Sequence, residues 1–172
     1  WEVLTTRQIV DKGIKNSYGQ RAFCIPQARP VQYEGTVDLP LDPYLVGVLL
    51  GDGGLSNLSV MLSTDSEIVD ALVLPSGCEA VIAVAHSDTY NEYRIKGLRK
   101  HLKAMGLVGK RSEDKFIPQQ YLYASVESRV ALLQGLLDTD GSANSNRGGA
   151  PGPAVEYGTV SEVLAAQVTE LV

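Results

Sequence analysis

Two aspartates, Asp52 and Asp140, stand at the end of nearly the same run of residues in two parts of the chain. Residues 45–53 read Leu-Val-Gly-Val-Leu-Leu-Gly-Asp-Gly, and residues 133–141 read Leu-Gln-Gly-Leu-Leu-Asp-Thr-Asp-Gly. The repeat predicts two related half-domains with one carboxylate at the equivalent position of each. A pseudo-symmetric pair of acids suits a reaction on two similar bonds, because each acid can serve one of them.

Each phrase has the pattern of a helix that ends at Asp-Gly. A helix C-terminus carries about half a negative charge, and two carboxylates about 5 Å apart repel by roughly 3 kcal/mol at an effective dielectric constant of 20. Two such ends side by side, with Asp138 as a third acid, would therefore attract cations. Carboxylate oxygens suit Mg²⁺, and acid-bound divalent ions are the minimum apparatus for hydrolysis of a phosphodiester.

The two copies continue to match beyond the aspartates. Thr64 corresponds to Thr159 and Ser66 to Ser161, with seven more residues between aspartate and threonine in the second copy. The extra residues fall in the Gly-, Pro- and Asn-rich stretch 144–153, where an insertion in a surface loop costs little. The repeat is too long for a solenoid unit, so it predicts a duplicated domain.

Small residues occur four positions apart on one face of each predicted helix, namely Gly47 and Gly51 in the first copy and Gly135 and Thr139 in the second. Small residues at this spacing let two helix backbones approach closely. We therefore predict that the two helices pack on each other through their glycines, which brings the aspartates together. Gly53 and Gly141 are then expected to end the helices in the left-handed conformation.

Local patterns predict the elements around the phrases. The first copy reads as a helix capped at Asp42-Pro43, a hairpin over 54–64, a helix from Ser66 to about 72, strands over 81–85 and 93–96, and an amphipathic helix over 97–106. The second copy reads as a helix starting at Ser125 or Ser128, a strand over 155–159 and a helix capped by Ser161. A short helix over 6–13, capped by Thr6, precedes them.

Composition bounds the class of protein. The chain has 172 residues, 44% of them hydrophobic, and a net charge of −5. It has no run of 18 apolar residues and its first residues do not have the pattern of a signal peptide, so we expect a cytoplasmic or other intracellular protein with no membrane partner. Cys24 and Cys78 have neither metal-site nor disulfide-framework spacing.

Positive charge is concentrated in one stretch. Residues 30–93 contain ten acids and no Lys or Arg, whereas residues 94–115 contain eight of the 15 basic residues: Arg94, Lys96, Arg99, Lys100, Lys103, Lys110, Arg111 and Lys115. The net acidity argues against simple electrostatic binding of nucleic acid. The stretch nevertheless predicts a local basic patch, although a solvated helix face would have the same composition.

The repeated phrases resemble the paired LAGLIDADG (dodecapeptide) motifs of homing endonucleases, particularly those embedded in inteins. The resemblance covers about residues 41–172 and includes Lys115-Phe116-Ile117-Pro118. Residues 1–40 look like the end of an intein's N-terminal splicing half. The resemblance implies an α+β fold with duplicated αββαββα half-domains, of which the second is incomplete. An all-β remnant of a Hint-type splicing domain would precede them. The implied domains are 1–40, 41–118 and 119–172.

The resemblance also implies a function. A monomer acting as a pseudo-dimer would cut both strands of a specific double-stranded DNA site, and its parent protein would splice itself with flanking intein segments. Asp52 and Asp140 would bind Mg²⁺ or another divalent cation such as Mn²⁺, with backbone carbonyls of Gly51 and Thr139 nearby, and Lys115 would orient hydroxide or stabilise the phosphate. The DNA-binding residues would be Arg94, Lys96, Arg99, Lys100, Lys103, Lys110 and Arg111.

One alternative stays open. The predicted strand over 58–64 has no Lys or Arg, although a strand of a DNA-binding saddle usually presents several. The chain is therefore also compatible with a catalytically weak or inactive LAGLIDADG nucleic-acid-binding module, either a decayed intein insert or an RNA maturase-like protein.

Overall fold

The computed structural model describes residues 2–24, 28–33, 38–56, 59–144 and 154–172. The chain divides into two compact units, residues 1–31 and residues 32–172. None of the helices in these described ranges is long and apolar enough to cross a lipid bilayer.

The first unit contains helix α1 (Thr6–Lys12) and one isolated bridge between Lys15 and Arg21. The helix begins at Thr5, whose side chain and that of Gln8 form a reciprocal capping box. The predicted cap at Thr6 is thus one residue late, because Thr5 is the last residue with extended backbone. The all-β character predicted for residues 1–40 is not confirmed for the described residues, and residues 1, 25–27 and 34–37 lie outside them.

The second unit alternates helices with short antiparallel strands. Its elements are α2 (Pro43–Gly51), β1 (Val60–Asp65), α3 (Ser66–Asp70), β2 (Glu79–Ala85), β3 (Tyr90–Lys96), α4 (Arg99–Ala104), α5 (Gln119–Leu122), α6 (Val126–Asp140), β4 (Gly141–Asn144), β5 (Ala154–Tyr157) and α7 (Glu162–Leu171). A single 3₁₀ turn, Ser112–Asp114, precedes Lys115.

The two helices of the repeated phrases start as their sequences predict. The Asp42 side chain accepts a hydrogen bond from the Leu45 N–H at 3.1 Å, and Pro43 occupies the first turn of α2. The Ser125 hydroxyl accepts one from the Ser128 N–H at 3.2 Å at the start of α6. Helix α2 lies at the centre of the unit, because every residue from 45 to 50 is buried.

A three-stranded sheet in the order β1-β3-β2 covers one side of this core, and both of its pairings are antiparallel. Alternation along the strands gives it one buried face, formed by Val60, Leu62, Tyr93 and Ile95. The opposite face, called the open face below, carries Met61, Ser63, Asp65, Glu79, Glu92, Arg94 and Lys96. Strands β4 and β5 form a separate two-stranded sheet.

The hairpin predicted over 54–64 is confirmed in part, by an isolated antiparallel bridge between Gly54 and Met61. The main partner of strand β1 is instead β3, which pairs with it along its whole length. The described first copy therefore runs α2-β1-α3-β2-β3-α4 and the second α6-β4-β5-α7, so the duplicated αββαββα order is not confirmed. Residues 57–58 lie outside the described part.

Helix α3 also departs from its prediction. It begins after Asp65, which caps it without a side-chain hydrogen bond. Ser66 is already helical, and its N–H donates to the carbonyl of Thr89 at 2.6 Å. This tertiary contact replaces the local cap that the sequence suggests for Ser66.

Candidate functional site

Helices α2 and α6 run parallel and touch backbone to backbone. A Cβ on Gly47 would meet the Leu132 carbonyl oxygen and lie 3.0 Å from the Cα of Gly135, and one on Gly51 would overlap the side chain of Thr139. The contact thus advances along both helices in the same direction. Their C-terminal ends, which carry Asp52 and Asp140, consequently lie side by side.

The two aspartates share one electrostatic environment. Burial raises the pKa of Asp52 above its ordinary 3.8, the negative charge of Asp140 raises it further, and Lys115 and a hydrogen bond from Thr64 oppose the rise. Burial also raises the pKa of Asp140, while Lys115 lowers it. Both carboxyl groups are therefore harder to ionise than an ordinary aspartate, mainly because they are buried.

Lys115 brings a positive charge into this place from outside the helix pair. The residue is 5% exposed, and its Nζ donates a hydrogen bond of 2.6 Å to the carbonyl oxygen of Gly51. Burial lowers the pKa of the lysine, whereas Asp140 and Asp52 raise it. The ammonium group thus sits at the negative end of α2.

A cavity of about 410 Å³ opens at the joined helix ends. Its walls are Leu50, Gly51, Ser112, Lys115, Asp140, Gly158, Thr159 and Val160. The described ranges contain no group of three or more His, Cys, Asp or Glu residues that could hold a metal ion. The oxygen donors at the joined helix ends are the Asp140 carboxylate, which lines the cavity, the Asp52 carboxylate at the end of α2, and the Gly51 carbonyl, which also accepts from Lys115. This hard-oxygen set fits Mg²⁺, since this ion keeps several waters and needs few protein ligands.

Thr139 offers less than its place in the motif suggests. Its hydroxyl lies 3.0 Å from the Gly135 carbonyl and 3.1 Å from that of Leu136, so it is engaged within its own helix. The main-chain carbonyl of Thr139 belongs to the last turn of α6, where carbonyls have no partner within the helix. Only this carbonyl could serve as a ligand.

Two threonines near the acids received no role in the sequence interpretation. The Thr64 hydroxyl donates to the Asp52 carboxylate, and Thr159 lines the cavity that contains Asp140. The signal was available, because these threonines occupy equivalent positions in the two copies. Tyr157 also lies close, and burial together with the charge of Asp140 raises its pKa to about 12.

Asp138 joins the helices instead of adding a third charge to the cavity. Its Oδ2 accepts a hydrogen bond of 2.8 Å from the hydroxyl of Tyr44 on α2. Burial, this bond and the charge of Asp138 raise the pKa of Tyr44 to about 12. The Asp138 side chain therefore links α6 to α2 through a hydrogen bond.

Gly53 and Gly141 do not end their helices in the left-handed conformation, so this prediction is wrong. Asp52 closes α2 with φ −78°, and Gly141 follows α6 in extended backbone with φ −89°. Glycine is required for a different reason. A Cβ at either position would collide with a carbonyl oxygen of the preceding turn, that of Leu49 or Leu137.

The predicted DNA-binding cations lie on several different elements. Arg94 and Lys96 lie on the open face of the sheet, where Lys96 Nζ pairs with Glu79 Oε1 at 2.7 Å. Arg99, Lys100 and Lys103 project from α4, which packs on the buried side through Leu98, Leu102 and Met105. Lys110 stacks over the Phe116 ring at 5.6 Å, and Arg111 is exposed before the 3₁₀ turn.

Comparison with known proteins supports the motif. A family model described as a LAGLIDADG-like domain matches residues 127–172. A replicative DNA helicase DnaB from Mycobacterium intracellulare is 32% identical over 141 residues, which is 79% of this chain and 20% of the relative. A replicative DNA helicase DnaB from Nostoc sp. is 38% identical over 72 residues, which is 42% of this chain and 8% of the relative. The family predicted from the repeated phrase is therefore confirmed over the part of the chain that the family model matches, residues 127–172.

Proposed function

We propose that this chain is the DNA-cleaving part of an intein-borne homing endonuclease, which hydrolyses both strands of a specific DNA site. The observation that supports it best is the parallel packing of α2 on α6, which places Asp52 and Asp140 at adjoining helix ends, where Asp140 and Lys115 line a cavity. The similarity to short parts of two helicases supports insertion into a helicase host. In this proposal a single chain acts as a pseudo-dimer, and flanking segments carry out splicing.

Asp52 and Asp140 would hold Mg²⁺ or Mn²⁺ together with the main-chain carbonyls of Gly51 and Thr139. A divalent cation there supplies a Lewis acid for the phosphodiester and favours ionisation of water at neutral pH. The two carboxyl groups must be ionised to serve as ligands. Because their pKa values are raised, these groups become ionised at a higher pH than ordinary aspartates.

Lys115 would complete the site from the opposite side. An ammonium group has three protons to donate, and the Gly51 carbonyl takes one of them. The other two are free to face an oxygen of the phosphodiester or the attacking water in the cavity. Burial strengthens these interactions because the local dielectric constant is lower than that of water.

Metal binding predicts a measurable stabilisation of the fold. Mg²⁺ at about 100 times its dissociation constant should stabilise the native state by about 2.7 kcal/mol, a rise in melting temperature of several degrees for a chain of this size. Differential scanning fluorimetry with and without Mg²⁺ measures this rise. The double variant Asp52→Asn, Asp140→Asn is the control and should show no rise.

The Mg²⁺-dependent rise in melting temperature should also depend on pH, because the two carboxyl groups must be ionised to bind the metal. Raised pKa values mean that protons compete with the metal at pH values where an ordinary aspartate would be fully ionised. We therefore expect the Mg²⁺-dependent rise to shrink as the pH falls from neutral toward the ordinary aspartate pKa of 3.8. A rise of equal size at both ends of this range would contradict binding by these two groups.

If the open face of the sheet contacts DNA, Arg94 on that face should contribute to binding, whereas Lys100 on α4 should not. We expect Arg94→Gln to weaken DNA binding and to reduce the slope of log K against log salt by about 0.9, the value for one lost phosphate contact. Lys100→Gln, which removes a charge from α4, is the matched control and should leave the slope unchanged. Fluorescence anisotropy over a salt series measures both. An equal loss in the two variants would place DNA elsewhere.

A second candidate function rests on the charges of this open face. Asp65, Glu79 and Glu92 accompany Arg94 and Lys96 there, so acids outnumber bases on a surface that would have to face phosphates. This composition favours a weak or inactive nucleic-acid-binding module, such as a decayed intein insert or an RNA maturase-like protein.

Plasmid cleavage separates the two functions. The substrate is a supercoiled plasmid carrying the helicase gene without the insert, incubated with protein and Mg²⁺. Linear product that disappears in the Asp52→Asn, Asp140→Asn variant supports the endonuclease. DNA binding without any nicked or linear product supports the binding module.

A further inference from the structure

We infer that Gln167 and Ser161 of helix α7 are positioning residues for Lys115, so that the last helix holds the lysine in the site. This inference rests on the proposed function and assigns the second copy a task beyond carrying Asp140. Two sets of side-chain to main-chain hydrogen bonds between α7 and the segment 115–117 support it.

The Gln167 side chain forms hydrogen bonds with both the N–H and the carbonyl of Ile117. The Ile117 N–H donates to Gln167 Oε1 at 2.7 Å, and Gln167 Nε2 donates to the Ile117 carbonyl at 3.0 Å. The Ile117 side chain is fully buried. The side-chain amide thereby fixes a strand-like peptide two residues after Lys115, as a neighbouring strand would.

Ser161 makes the second connection, directly to the lysine residue. Its hydroxyl donates to the Lys115 main-chain carbonyl at 2.7 Å and accepts from the Leu164 N–H at 3.1 Å, which caps α7. Ser161 is 1% exposed. A single buried hydroxyl thus couples the start of α7 to the main chain of Lys115.

These contacts explain how a flexible side chain keeps a defined position. A lysine has four rotatable side-chain bonds, and ordering it costs conformational entropy. The regular element next to it is a short 3₁₀ turn, Ser112–Asp114, and Lys115 itself has extended backbone. Fixing the main chain at Lys115 and Ile117 limits the positions from which Nζ can reach the Gly51 carbonyl, 64 residues away in sequence.

Lysine reactivity tests the positioning without requiring cleavage. The full chain is treated with an N-hydroxysuccinimide acetate reagent, and acetylation at each lysine is followed by mass spectrometry. In the wild type, Lys115 should react much more slowly than the exposed Lys100. Gln167→Met should speed labelling of Lys115 by on the order of tenfold, the effect of losing two neutral hydrogen bonds, and should leave Lys100 unchanged.

Further variants separate positioning from general destabilisation. Gln167→Glu keeps the acceptor for the Ile117 N–H and should give an intermediate rate, and Ser161→Ala should also speed labelling of Lys115. Thr169→Ala is the matched control, because it removes a hydrogen bond of 2.9 Å to the Ala165 carbonyl within the same helix. An unchanged Lys115 rate in both Gln167→Met and Ser161→Ala would overturn the inference.

Single-turnover cleavage gives the functional readout. Gln167→Met should slow cleavage about tenfold at unchanged DNA affinity, and it should have no further effect in a Lys115→Met background, since the two changes remove one function. Full additivity would indicate a structural role only and would overturn the inference. A wild type that does not cleave would refute the proposed endonuclease, while the labelling result still decides the positioning.

Discussion

We expect that replacing Asp52 with asparagine abolishes double-strand cleavage while making the metal-free protein more stable. Loss of groups that merely orient a ligand typically costs 10–100-fold in metal affinity or activity, so loss of a ligand should exceed roughly 100-fold. A quantitative plasmid cleavage assay measures the loss. Asp52→Glu is a useful companion, because it keeps the charge and tests the requirement for its position.

The gain in stability follows from the sign of the pKa shift. The pKa of Asp52 lies above its ordinary 3.8 in the folded chain. The stability that this shift contributes is complete below the unfolded pKa and is lost as the pH rises through the folded pKa. At neutral pH the ionised carboxylate consequently opposes folding, mainly through burial and also through repulsion by Asp140. Asparagine has no such charge, so the melting temperature in EDTA should rise, and a fall would contradict this account.

The equivalent change in the second copy should reveal which DNA strand each aspartate cleaves. If each aspartate serves one strand, Asp140→Asn alone should convert linear product into nicked plasmid. Asp140 lies at the end of α6 as Asp52 lies at the end of α2, so each variant should spare a different strand. Strand-specific end labels on the substrate identify the surviving cut. Unchanged double-strand cutting by Asp140→Asn would contradict one acid per strand.

The second large effect concerns the contact between α2 and α6. We expect Gly47→Ala to destabilise the fold by about 3 kcal/mol, at the upper end of the usual range for overpacked cores. The added methyl group would overlap the Leu132 carbonyl oxygen and press on the main chain of Gly135. Main-chain atoms cannot rotate away as a flexible side chain would, so the helices must separate. Urea denaturation followed by circular dichroism measures the change in the free energy of unfolding.

The direction of this effect is opposite to that of helix propensity. Inside an exposed helix, alanine stabilises the helix by up to about 1 kcal/mol relative to glycine. If α2 did not pack closely on α6, Gly47→Ala would therefore increase stability. Gly158→Ala is the matched control, since no atom lies within 4 Å of the position of its Cβ and its φ is not positive. A Gly47→Ala protein as stable as this control would show that the helix backbones do not touch.

The sequence determined much of the helix pair by itself. Caps, small-residue faces and helix ends are set by residues within one or two turns of each other, so Asp42, Ser125 and Ser161 start their helices as predicted. The repeat also singled out both aspartates before any contact was known. Close approach at Gly47 and Gly135 then follows, because side chains between them would hold the backbones apart.

Only the tertiary structure decided what surrounds the acids. Lys115 meets Gly51 across 64 residues, Gln167 meets Ile117 across 50, and Tyr44 meets Asp138 across 94. Strand β1 takes β3 as its main partner, and a single bridge joins it to the nearer segment at Gly54. Local periodicity has no information about such partners, because they depend on which buried faces and hydrogen-bonding groups are satisfied together when the whole chain closes.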